Sequence, residues 1–129
     1  MPGAAFPRLS CQDTVTPMSD LSGHLLLVDD EAGFREVIAE RLREQGFQVT
    51  EADTGEDALE RLNQFAFDIL ITDLRLPGID GRVVLDEALA RYADIIAIVI
   101  TGFATVKEAV EVTRRGAEGF ITKPFQFEE

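Results

Sequence analysis

Residues 25–30 read Leu25-Leu26-Leu27-Val28-Asp29-Asp30, and residues 67–73 read Phe67-Asp68-Ile69-Leu70-Ile71-Thr72-Asp73. Apolar runs this short, bounded this sharply, read as strands buried on both faces of a parallel sheet. In an open α/β sheet, ligands bind outside the carboxyl ends of the strands. Asp29, Asp30 and Asp73 are therefore expected to meet in one crevice. At about 4 Å and an effective dielectric of about 20, each pair of like charges repels by roughly 4 kcal/mol. Such a cluster demands a cation, and a divalent metal is the expected occupant.

Outward from these two runs, strand and helix signals alternate. His24–Asp30 is the first strand. Glu31–Gln45 follows as an amphipathic helix with Phe34, Ile38 and Leu42 inward, Val37 beside them, and Gly46 as its stop. Phe47–Ala52 is a second strand. Thr54 and Asp57 resemble a capping box before a helix that buries Ala58, Leu59 and Leu62. Phe67–Asp73 is the third strand, followed by the turn residues Leu76-Pro77-Gly78. Asp80–Tyr92 is a helix with Val84, Leu85, Ala88 and Leu89 inward. Ile95–Ile100 is a fourth strand, ending at Thr101-Gly102. Thr105–Arg115 is a fourth helix with Val106, Ala109 and Val110 inward, stopped by Gly116. Glu118–Thr122 is a short fifth strand. This alternation implies right-handed βαβ units around a parallel sheet.

The chain has 129 residues, suited to one domain. With 24 acidic against 12 basic residues, its net charge is −12. That excludes direct binding of DNA, RNA or anionic membrane by this segment as a favoured function. Cys11 is the sole cysteine, so no intrachain disulfide forms, and a cytosolic location is the natural reading. No apolar run approaches the roughly 20 residues of a membrane-spanning helix. Residues 1–23 carry Pro2, Pro7 and Pro17 and no apolar period, and are expected to be a flexible leader. Met18 is a candidate native start, because Met18-Ser19-Asp20-Leu21-Ser22-Gly23 leads directly into the first strand.

Five residues end four of the strands: Asp29 and Asp30, Asp73, Thr101, and Lys123. Singly, each is an ordinary cap, turn or surface residue. Together they have a chemical logic. Carboxylates are hard oxygen ligands for Mg²⁺, which keeps waters and accepts phosphate oxygens. One carboxylate can act as a nucleophile toward a phosphoryl group. A hydroxyl and an ammonium can hold phosphoryl oxygens as charge redistributes.

These residues fall in four ordered motifs: Val28-Asp29-Asp30-Glu31, Asp73 to Gly81, Ile100-Thr101-Gly102, and Gly119 to Phe125. The set resembles the receiver domain of two-component response regulators over about residues 24–127. The resemblance implies a flavodoxin-like (βα)5 fold with a five-stranded parallel sheet in the order 2-1-3-4-5. It implies that Asp73 is the phosphoacceptor for a sensor histidine kinase's phosphohistidine. Asp30, Asp73 and the backbone carbonyl of Arg75 would hold Mg²⁺ directly, with Asp29 acting largely through water. Lys123 would pair with Asp73 at rest and with the phosphoryl group afterwards. Thr101 would bond a phosphoryl oxygen, Gly102 would offer its N–H, and Phe120 would be the aromatic switch. The Lys123-Pro124 bond would be cis. Thr101 to Val110 further resembles receivers of the nitrogen-regulation class of sigma-54-dependent activators. An output domain would then follow on the C-terminal side, with possible homodimer formation on phosphorylation. The alternative is a receiver of a hybrid kinase, or a stand-alone regulator without a DNA-binding output.

A haloacid-dehalogenase-like phosphatase would place Asp-x-Asp after the first strand, whereas here the nucleophile is on the third. The expected activity is therefore not that of an enzyme beyond self-phosphorylation and self-dephosphorylation. His24, the sole histidine, starts the first strand, far from the acids, and is expected to be exposed and without a role. The chain stops at Phe127-Glu128-Glu129, where a fifth helix would begin. Residues 24–129 are accordingly expected to be a receiver cut short at that helix, a fragment of a longer regulator that leaves Phe125 and Phe127 partly uncovered. Arg75 and Phe103 stand two residues beyond Asp73 and Thr101, where they would shield the phosphoryl group from water. Phe103→Ala should then hasten loss of phosphate from the phosphorylated form, followed by phosphate release over time. An unchanged decay rate would remove the shielding role.

Overall fold

The structure, a computed structural model, describes residues 23–102 and 105–123. Its elements run β1 (His24–Val28), α1 (Ala32–Glu44), β2 (Gln48–Ala52), α2 (Gly55–Gln64) and β3 (Ile69–Thr72), then α3 (Gly81–Arg91), β4 (Ile96–Thr101), α4 (Val106–Arg115) and β5 (Gly119–Thr122). The strands form one five-stranded sheet in the order β2-β1-β3-β4-β5. All its pairings are parallel. Residues 1–22 of the leader, Phe103, Pro124, Phe125 and Phe127 lie outside the described residues, and with them the expectations placed there.

Side chains alternate across a strand, so β1 contributes to two cores. Leu26 and Val28 join Leu70, Val99, Leu62, Leu85 and Val112 on the face covered by α2, α3 and α4. Leu25 and Leu27 join Ile71, Ile100, Ile38 and Ala39 on the α1 face. Each fully buried Leu or Val contributes about 1.5–3 kcal/mol relative to exposure. This double burial explains why β1 and β3 read as unbroken apolar runs.

β1 and β3 stop before the acids expected to end them, because those acids leave the ladder. Backbone bonds still hold those acids. The Asp73 N–H donates to the Val28 carbonyl at 2.9 Å, and the Asp29 N–H to the Ala52 carbonyl at 3.1 Å. Val28 is level with Thr72 in the register, so Asp29 and Asp73 leave the sheet side by side. Strand order reverses at this point, with β2 on one side of β1 and β3 on the other.

Helix ends follow their sequence signals with one exchange. Thr54 accepts from the Asp57 N–H at 3.0 Å, but the Asp57 carboxylate turns to Arg61 at 3.5 Å. The reciprocal capping box is at Thr105 and Glu108 instead. Gly116 ends α4 at φ 122, a conformation that favours glycine.

Three expectations about burial are corrected. On α1, Val37 is half exposed, while Ile38 and Ala39 are buried. On α4, Val106 is 82% exposed and Val110 44%, whereas Val112 is fully buried. Val112 is the α4 residue that enters the larger core, and Glu108, Glu111 and Arg115 beside it pair with Arg82 and Asp86 of α3 at the rim. His24 is half-buried rather than exposed. Its Nε2 lies 2.7 Å from the Thr50 hydroxyl and its Nδ1 3.1 Å from the Ala66 carbonyl, with the ring 4.3 Å from that of Phe67. It does sit at the end of the sheet opposite the acids, level with Gln48.

Gly81 starts α3 against the acceptor loop. A Cβ there would run into the Asp73 carbonyl oxygen and lie 2.9 Å from the Leu74 Cα. Backbone atoms cannot yield as a flexible side chain can. Gly81→Ala should destabilise the fold by about 2–3 kcal/mol, read from the urea unfolding midpoint. A midpoint equal to wild type would mean the loop and helix separate freely.

Candidate functional site

The reversal of strand order brings Asp29, Asp30 and Asp73 together. Each offers a carboxylate oxygen, and these oxygens lie within 4.8 Å of one another. Asp29 is 2% exposed and Asp73 6% exposed, while Asp30 faces solvent. Local backbone donors fix two of them. Asp29 Oδ1 accepts from the Glu31 N–H at 2.9 Å, and Asp73 Oδ1 accepts from the Arg75 N–H at 3.1 Å. Arg35 braces the same turn, donating to the Asp29 carbonyl at 2.8 Å and to Glu51 at 2.9 Å.

Lys123, one residue past β5, supplies the positive charge. Its Nζ lies 3.0 Å from Asp29 Oδ2, 3.0 Å from Asp73 Oδ2 and 2.8 Å from Glu31 Oε1. An ammonium has three protons, and each here has a carboxylate. The Phe34 ring lies over the same nitrogen, 4.6 Å from centroid to Nζ. The Lys123 N–H donates to the Thr101 carbonyl at 2.7 Å, which ties the lysine to the end of β4.

Burial works to lower the Lys123 pKa, but bonds to Glu31, Asp73 and Asp29 outweigh it and hold the lysine above its ordinary range. Asp29 goes the other way from a usual ion-paired acid. Its burial pushes its carboxyl up, against the pull of the Glu31 N–H and Lys123, and the nearby Asp73 charge adds to the rise. Burial disfavours the charge on both groups, and only the lysine has enough bonded partners to overcome it.

A cleft of about 530 Å³ opens over these groups, lined by Asp30, Glu31, Phe34, Asp73, Arg75, Thr101, Gly102 and Lys123. Every sequence-predicted site residue lines it except Asp29 and Phe120. Asp29 lies behind the lining, held by Lys123. Phe120 is half-buried on β5 and packs against the larger core. The Arg75 guanidinium pairs with Glu108 of α4. Glu31 and Phe34 are the site neighbours that sequence reasoning missed. Glu31 stood inside a motif without a role, and Phe34 was read only as a core residue of α1. The clustered hard oxygens fit a small divalent cation. The carboxylate of Asp73, open at one edge to the cleft, fits a nucleophile beside groups able to hold an anion, Thr101, Gly102 and Lys123.

Residues 25–129 match the response regulator receiver domain family. The transcriptional regulatory protein GlrR of Escherichia coli (strain K12) is 35% identical over 107 residues, covering 83% of this chain and 24% of that protein. The chain thus spans about a quarter of that relative's length. Among solved structures, NtrX from Brucella abortus is similar at 33% identity and a TM-score of 0.75, over 81% of this chain and 24% of that one. The response regulator protein TrrA from Thermotoga maritima, solved in complex with Mg(2+)-BeF, is similar at 30% identity and a TM-score of 0.72. That match covers 81% of this chain and 90% of TrrA. No helix among the described residues is long and apolar enough to cross a membrane.

Lys123 bonds both buried acids of the cluster, so its removal should expose the repulsion. Lys123→Ala should lower stability by about 3 kcal/mol in the presence of a chelator. Added Mg²⁺ should then raise the thermal unfolding midpoint by more than it does in wild type. An equal rise in both proteins would mean the acids do not need the ammonium.

Proposed function

Because the chain belongs to the receiver domain family of two-component response regulators, we propose that it works as a phosphorylation-controlled signalling switch. Asp73 attacks the phosphorus of a histidine kinase's phosphohistidine. The new O–P bond makes an aspartyl phosphate as the P–N bond breaks and the imidazole leaves. The observation that carries this reading is the Lys123 ammonium, 3.0 Å from both Asp29 and Asp73. It marks where a phosphoryl oxygen would find a cation.

The other groups take roles around that step. Asp30, Asp73 and the Arg75 backbone carbonyl would hold Mg²⁺, with Asp29 acting through water; when bound, the ion neutralises charge between acceptor and phosphoryl oxygens. Thr101 donates its hydroxyl proton to one phosphoryl oxygen, and the Gly102 N–H to another. Lys123 moves its bond from the Asp73 carboxylate to the phosphoryl group. Phe120 follows Thr101 inward and carries the change to the surface of β5. Residues 24–129 form the receiver of a longer regulator, a reading supported by the quarter of GlrR that the match spans. Its output, in the manner of sigma-54-dependent activators, is control of transcription through altered dimer or output-domain contacts.

The test is incubation with acetyl phosphate and Mg²⁺, followed by intact mass. A stable gain of one phosphate is expected in wild type and none in Asp73→Asn, while Asp30→Asn should chiefly weaken the Mg²⁺ dependence. Steady phosphate release without a stable adduct would point to an enzyme. No gain at all would point to an inert interaction module.

A further inference from the structure

One carboxylate outside the acidic cluster ties the acceptor loop to a helix. Glu108 lies in the first turn of α4 and its side chain is only 15% exposed. Its Oε1 accepts from the Thr105 N–H at 3.3 Å, and its own N–H donates to the Thr105 hydroxyl at 3.1 Å. Its Oε2 receives the Arg75 guanidinium and lies 3.5 Å from Arg82 of α3. Arg75 in turn donates its backbone N–H to Asp73 and lines the cleft.

We propose that Glu108 is a positioning residue for phosphoryl transfer, holding the Arg75 guanidinium at the start of α4 so that this helix and a phosphoryl group on Asp73 compete for it. The inference rests on the acceptor reading of Asp73. A phosphoryl group carries about −1.5 to −2 charges and three acceptor oxygens. Guanidinium binds such a group through two parallel bonds, which a carboxylate already shared with Arg82 and the Thr105 N–H matches poorly. Arg75 therefore swings toward the cleft when Asp73 is charged with phosphate. Glu108 keeps Arg82 and its cap, so the helix persists but loses its tie to the acceptor loop. The first turn of α4, where Val106 is 82% exposed, is the part set free.

Glu108→Gln keeps an oxygen for the Thr105 N–H and removes the charge that holds Arg75. It should lower the KM for acetyl phosphate about threefold, the scale of a partly exposed ion pair, with kcat unchanged. In an Arg75→Ala background the same change should leave KM where it is. Asp86→Asn, which breaks a pair with Arg115 on the same helices without touching Arg75, should leave KM at the wild-type value. Hydrogen exchange at the 106–110 amides should quicken when beryllofluoride binds wild type, and should be quick already in resting Arg75→Ala. Failure of wild type to take phosphate would remove the proposed function and this inference with it. Normal uptake with a KM unmoved by Glu108→Gln, or moved equally without Arg75, would overturn this inference alone.

Discussion

The ammonium of Lys123 is the interaction on which the end of the sheet depends. Three carboxylates, Asp29, Glu31 and Asp73, converge on it at 2.8–3.0 Å. Two of these are almost wholly buried, where water screens little. The sheet could not bring β1 and β3 level and leave their terminal acids facing each other without such a charge. Everything else at this end is arranged around it. Arg35 braces the first turn, the Arg75 N–H orients Asp73, and the Phe34 ring closes one side.

The arrangement is stable yet incomplete by construction. Each ammonium proton is committed, but Asp30 has none of them and faces the cleft. Asp29, though paired, is still held toward its protonated form by burial. Under the proposed function, the open edge of Asp30 beside the buried pair is where a further cation would bind. The same arrangement keeps Lys123 where an incoming anion can draw on it. Under the proposed function, stability of the resting fold and readiness for phosphoryl chemistry come from the same few atoms.

Much of this was legible because it is local. An apolar run that stops at an acid says where a strand ends, and the strand order implied by the family resemblance is the observed one. What was not legible is non-local. Nothing near Glu31 announces that Lys123, 92 residues away, will reach it. Val106 and Val110 have the spacing of an inward stripe, yet α4 buries Val112 instead, with its carboxylates and Arg115 paired to α3 beside it. Which valine of α4 is buried depends on how the helix packs across the sheet, and that is not local information. His24 was misjudged for a similar reason, since its burial depends on Phe67, far along the chain.

The position of Lys123 also sets an order of events during synthesis. It follows Asp73 by 50 residues and Asp29 by 94. At roughly 5–20 residues per second, the ribosome delivers the lysine about 3–10 s after the last of the acids. Through that interval a nascent chain holds β1 and β3 with their carboxylates unbalanced. Until β5 emerges, a bound cation is what would let those two strand ends dock, and the ammonium joins them last.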